Sequence, residues 1–151
     1  MINAYFDSGV LVKNYCREAG SPEAIRLILA EAPPLPLTHF QEMEIRNALR
    51  LKFFRHEMTA QTLKGGLALL DEDIRQGRLQ RPVYDPGSIF RRAEVLSRLH
   101  TPATGARTLD ILHVAAALEI KAIRFISFDQ RQRAMAKRAG LTIVPSTLAS
   151  I

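Results

Sequence analysis

Four acidic residues, Asp7, Glu44, Asp110 and Asp129, stand at the ends of apolar strand-like runs or inside apolar helical segments. An unpaired carboxylate in such a place is costly. Asp7 closes Ile2-Asn3-Ala4-Tyr5-Phe6, and Asp129 closes Ile123-Arg124-Phe125-Ile126-Ser127-Phe128. Glu44 and Asp110 fall in helical segments that begin at Thr38 and Thr108. A shared cost suggests a shared ligand. Like-charged carboxylates in one cleft raise one another's pKa, so such a cluster is stable at neutral pH mainly when a cation neutralises it. All-oxygen donors suit hard ions, which makes Mg²⁺ or Mn²⁺ the expected cofactor. Zinc is disfavoured, because His39, His56, His100 and His113 show no HExxH spacing and no cysteine support. The chemistry open to such a site is phosphodiester hydrolysis, in which a metal generates hydroxide and metal charge stabilises the departing oxygen.

Each acid also has an ordinary structural explanation. Asp129 with Gln132 three residues on is a good helix capping box. Asp110 sits near a helix N-terminus, where negative charge is favourable in any protein. Glu44 is equally a solvated helix residue beside the apolar stripe of Ile45, Ala48 and Leu49. Asp7-Ser8-Gly9 reads as a strand-to-helix turn. The metal reading rests on the four together.

Several neighbours are placed to assist. Ser8 and Ser127 lie beside the acids and could orient them or a water, Asn47 is one turn after Glu44, and His113 is one turn after Asp110. A histidine on an Ala-rich helix is more often a core residue than a base. Arg107, Arg131, Arg133, Lys137 and Arg138 flank the acids in sequence. Arg107 and Arg131 are the candidate phosphate contacts, while Arg133 and Lys137 read better as a solvated helix face. Arg46 and Arg131 offer the acids partial charge compensation.

The elements that must position these residues alternate. A strand over 2–7 runs into a helical stretch through Tyr15, followed by a helix from Ser21-Pro22 to Glu31 and a short strand over 35–37, a βαβ start. Thr38 and Gln41 form a capping box for a helix to about His56, and a second helix runs from Thr59 to about Gln76. A minor strand is expected over 81–84, a helix after Asp85-Pro86, and a small-residue loop from Thr101 to Arg107. The apolar helix opening at Thr108 feeds the strand over 123–128, then a basic helix ending at Gly140 and a last strand over 141–144. Strands alternating with helices predict an α/β fold whose mostly parallel sheet is covered on both faces. In open parallel sheets ligands collect at the carboxyl ends of strands, where Asp7 and Asp129 fall.

With 151 residues the chain is expected to form one domain, 1–151, with a sizeable core. The lone Cys16 admits no internal disulfide, which suits a reducing cytoplasm. No apolar run approaches the ~20 residues of a membrane span, and no signal-peptide pattern opens the chain, so a soluble, non-exported protein without membrane contact is expected. Lys and Arg number 21 against 15 Asp and Glu, a net charge of +6 that fits a polyanionic partner.

These segments resemble the PIN-domain ribonucleases, and within them the VapC-type toxins of toxin-antitoxin pairs. The resemblance lies in Tyr5-Phe6-Asp7-Ser8-Gly9-Val10-Leu11-Val12-Lys13, Glu44-Ile45-Arg46-Asn47-Ala48-Leu49, Thr108 through Ala117, and Phe125-Ile126-Ser127-Phe128-Asp129-Gln130-Arg131-Gln132 leading to Ala136 and Gly140. It implies a three-layer αβα sandwich, an acidic site of Asp7, Glu44, Asp110 and Asp129, dependence on Mg²⁺ or Mn²⁺, and endonucleolytic cleavage of RNA. It further implies a homodimer and an antitoxin partner that covers the cleft. Gly9 stands where many relatives carry a small polar residue, and Arg133 where some place a further acid, which could weaken a second metal; one metal is expected and a second is left open. The competing reading is a catalytically idle PIN-like module that binds RNA or protein. A DNA-directed flap nuclease is disfavoured, because the chain has no recognisable duplex-binding motif.

Overall fold

A computed structural model describes residues 3–148. In chain order it contains β1 (Ala4–Phe6), α1 (Ser8–Leu11), a 3₁₀ turn (Val12–Asn14), α2 (Ser21–Leu29), β2 (Leu35–Pro36), α3 (His39–Phe54), α4 (Ala60–Arg75), β3 (Leu79–Gln80), α5 (Pro86–Thr104), α6 (Thr108–Glu119), β4 (Arg124–Ile126), α7 (Gln130–Arg138) and β5 (Thr142–Val144). The chain is α/β, every strand pairing is parallel, and the architecture is compatible with a three-layer αβα sandwich. It divides into two compact units, residues 1–7 with 82–151 and residues 8–81.

The first unit is built on a sheet of order β1-β4-β5. Tyr5 faces Phe125 in register and Phe6 faces Ile126, and all four are essentially inaccessible. Strands covered on both faces read as unbroken apolar runs, and these do. Asp7 extends the ladder by donating its N–H to the Ile126 carbonyl at 2.9 Å, and Ser127 donates its N–H to Val144 at 3.1 Å. Helix α6 is buried without interruption from Asp110 to Ala117. A helix apolar all round belongs inside, and the small Ala115-Ala116-Ala117 stretch permits close packing by α5 and α7. On α7 the buried positions are Gln132, Met135 and Ala136, one stripe at helical spacing with a polar residue at its head.

The second unit pairs β2 with β3. Its α3 opens with the expected capping box: Thr38 Oγ1 accepts the Gln41 N–H at 3.3 Å, while Gln41 Oε1 accepts the Thr38 N–H at 2.7 Å. Both residues are fully buried, so the box also satisfies polar groups inside the unit. Gly66 of α4 is required by close approach, since a Cβ there would stand 2.6 Å from the Tyr15 carbonyl oxygen.

Several elements differ from the sequence expectation. The βαβ start does not form one sheet, because β2 pairs with β3 while β1 pairs with β4. The minor strand falls at Leu79–Gln80 instead of 81–84, where Leu79 is buried opposite Leu35 and Val83 is fully exposed. The supposed loop from Thr101 to Arg107 is mostly helix: α5 continues through Pro102 to Thr104 and ends at Gly105, whose φ of 63° suits a left-handed cap. Gly105 closes that turn by donating to the Thr101 carbonyl at 2.8 Å. Pro102 has no N–H to donate within the helix, and the chain nonetheless stays helical to Thr104. Ser21 does not cap α2, which follows Gly20; its hydroxyl accepts the Glu18 N–H at 3.0 Å. Ile2 of the first expected strand lies outside the described residues. Among the described residues, no helix is long and apolar enough to cross a membrane.

Candidate active site

The carboxyl end of the first unit's sheet gathers two of the four acids around one amide. Asp7 follows β1 and is 6 % exposed, and Asp110 in the first turn of α6 is 9 % exposed. Gln132, on the buried stripe of α7, donates its side-chain Nε2 to Asp7 Oδ1 at 3.3 Å and to Asp110 Oδ1 at 3.2 Å. β1 and β4 are parallel neighbours, as expected, so Asp7 and the segment leading to α7 leave the sheet at the same end.

Neutral donors surround the pair. Ser127 donates its hydroxyl to Asp7 Oδ2 at 3.2 Å, and the Arg107 main-chain N–H reaches Asp110 Oδ2 at 2.9 Å. The second contact caps α6 from within its first turn, where the helix dipole favours an anion. The structural explanation of Asp110 is therefore satisfied by one of its oxygens, and the other turns to the shared amide.

Asp129 is exposed and serves as the N-cap of α7, its Oδ1 accepting the Gln132 main-chain N–H at 2.9 Å. The expected capping box is only half present. The Gln132 side chain points to Asp7 and Asp110, and the Asp129 N–H donates instead to Ser127 Oγ at 3.0 Å. Ser127 thus links Asp129's backbone to Asp7's carboxylate.

His113 is fully buried on α6. Its Nδ1 shares a 2.9 Å hydrogen bond with the Tyr5 hydroxyl, and its Nε2 stands 3.9 Å from Asp7 Oδ1, beyond hydrogen-bonding reach. Tyr5 in turn stacks on Phe125 with ring centroids 5.7 Å apart. Histidine here is a core residue facing the acids.

Glu44 belongs to the second unit, half-buried on α3, and accepts the Ser8 hydroxyl at 3.4 Å. Asn47 is exposed on the same helix. Arg46 is engaged by Glu42 at 2.9 Å and Asp71 at 2.6 Å, so its charge is committed within that unit.

Among the flanking cations, Arg107 and Arg131 are exposed and Arg133 is not a solvated face residue. Arg133 donates to the carbonyls of Ser127 at 2.9 Å and Pro145 at 2.7 Å, tying α7 to the segments after β4 and β5. Burial pushes its pKa down. Lys137 is exposed, as expected of a solvated helix face.

Among the described residues, no group of three or more His, Cys, Asp or Glu side chains is arranged to hold a metal ion. The oxygen donors in the first unit are the Asp7 and Asp110 carboxylates; Gln132 turns its amide nitrogen to them, and its Oε1 is a buried oxygen with no hydrogen-bond partner. In kind this set fits a hard cation, because every potential ligand atom is oxygen. Gln132 was not among the residues that sequence reasoning placed in the site. Its signal was available, since it heads the Met135-Ala136 stripe of a basic helix, and a polar residue on a buried stripe needs partners.

No family model and no curated protein matches this chain.

Proposed function

We propose that the protein is a metal-dependent endoribonuclease of the PIN type, acting as the toxin of a type II toxin-antitoxin pair. The observation that carries the reading is the buried Asp7–Asp110 pair, met by an amide, a hydroxyl and a main-chain N–H at the carboxyl end of a parallel sheet. Two carboxylates on one amide present oxygen atoms of the kind a hard cation takes. Asp7 and Asp110 would hold Mg²⁺ or Mn²⁺, with Asp129 as a further acid of the same unit. When bound, the metal supplies Lewis-acid activation of water and charge for the departing oxygen.

The chain's own residues prepare that site. Ser127 fixes Asp7 through one oxygen, the Arg107 N–H fixes Asp110, and the remaining oxygen of each accepts from the Gln132 amide. The Tyr5–His113 pair closes the apolar side against water. Arg107 and Arg131, exposed near the two helix starts, hold the phosphate backbone and give no sequence selectivity by themselves. The net charge of +6 suits an RNA substrate. A homodimer, a cytoplasmic setting and an antitoxin that covers the cleft complete the reading.

The test is cleavage of structured RNAs by purified protein with Mg²⁺ or Mn²⁺. Wild type cleaves, a chelator abolishes cleavage, and Asp7→Asn and Asp110→Asn lose it; equal cleavage by wild type and both variants removes the assignment. A second reading, a catalytically idle module that binds RNA or protein, is favoured by the amide already lying between the two acids. Mn²⁺ calorimetry separates the two: RNA affinity without cation binding identifies the idle module.

A further inference from the structure

We infer that the Gln132 amide is a resident occupant of the cation position, so that the Gln132 bridge and a divalent cation exclude one another. This rests on the metal-dependent reading above and adds a residue that sets how tightly the site takes its ion.

Three features of Gln132 point this way. The side chain is 7 % exposed, and Nε2 sits within hydrogen-bonding distance of one oxygen from each acid. Its Oε1 is buried without a hydrogen-bond partner, so the amide's orientation is set by the acids and leaves its acceptor unsatisfied. The two bonds, at 3.3 and 3.2 Å, lie at the long end of N–H···O distances, which centre on about 2.9–3.0 Å.

Such an amide is a weak substitute for a cation. Mg²⁺ binds oxygen at about 2.0–2.1 Å, so an ion on both carboxylates would sit against the amide nitrogen, whose hydrogens point towards it. The amide has to leave. Its backbone cannot move with it, because Asp129 Oδ1 holds the Gln132 N–H at 2.9 Å. Motion is therefore confined to the side chain, and wild type must break two hydrogen bonds for each ion it takes.

The experiment is Mn²⁺ calorimetry on the full chain, comparing wild type with Gln132→Met and Gln132→Ala, together with the Gln132 side-chain amide resonances of wild type during a Mg²⁺ titration. Both variants should bind Mn²⁺ about tenfold more tightly than wild type. Their melting temperatures should be lower in chelator and should recover more on adding Mn²⁺. The wild-type amide resonances should shift with Mg²⁺ in step with occupancy. Equal or weaker Mn²⁺ binding by the variants, or amide resonances that stay put while Mg²⁺ binds, overturns the exclusion and leaves the metal reading intact. Absence of Mn²⁺ binding in all three proteins, or binding that survives Asp7→Asn, sinks the metal reading and this inference with it. If neither variant folds, the wild-type resonances decide.

Discussion

Asp73 and Asp7 are buried to the same degree, 7 % and 6 % exposed, yet they are supplied with opposite surroundings. Asp73, on α4 of the second unit, accepts the Tyr15 hydroxyl at 2.8 Å and the Arg78 Nε at 2.6 Å. One carboxylate there has a guanidinium of its own and a phenol donor. Asp7 and its neighbour Asp110 share a single amide, and the other donors described around them are a hydroxyl and a main-chain N–H. The first arrangement neutralises its charge internally and asks for nothing more. The second joins two carboxylates through one neutral amide. Equal burial is thus compatible with different donor sets, a guanidinium and a phenol in one case and a shared amide in the other.

The comparison is open to attack from either side. The largest expected effect is on cleavage: Asp7→Asn and Asp110→Asn should each lower RNA cleavage by about two orders of magnitude or more while the protein still melts cooperatively, as expected when a group proposed to hold the metal is lost. Asp73→Asn should do the reverse, destabilising the fold by about 2 kcal/mol in urea titration and leaving cleavage per folded molecule unchanged. Loss of cleavage on that substitution would erase the distinction.

A smaller effect is expected from Tyr15→Phe, which removes one donor from Asp73 while Arg78 stays; a cost of about 1 kcal/mol is expected, with no change in cation binding. Of similar size is a pH effect. Burial first, then the hydrogen bond and charge of Asp73, push the Tyr15 phenol above its ordinary value of 10.0. Above pH 10.0 the unfolded chain releases this proton while the folded chain keeps it, so stability falls as pH rises, by at most about 1.4 kcal/mol per unit. Below that pH the group contributes no slope. Tyr15→Phe should flatten the fall in an unfolding series from pH 9 to 11, and an unchanged slope would mean the phenol is not held as described.

Much of the framework was legible because its signals are local. Thr38 and Gln41 announce the start of α3, Asp85-Pro86 that of α5, and the unbroken apolar run after Thr108 a buried helix. The small residues from Thr101 to Arg107 misled, because they read as a loop while α5 runs on through Pro102 to its Gly105 cap. Sequence pattern likewise placed Asp7 at the end of its strand and Asp129 at the cap of its helix. It read Gln132 as Asp129's capping partner, a local role, whereas the side chain turned to two acids more than twenty residues away in sequence.

What the sequence determined by itself is the set of elements and the chemical kinds at their ends: apolar strands finishing in carboxylates, helices opening on capping residues, and a basic balance over the whole. Those come from period, propensity and capping, which act over a few residues. Only tertiary structure decided that β1 lies beside β4, that Asp7 and Asp110 share one amide, and that Arg133 is consumed by main-chain carbonyls while Asp73 has its own arginine. Pairing of distant strands and allocation of buried donors depend on which surfaces meet, and no short stretch of chain carries that information.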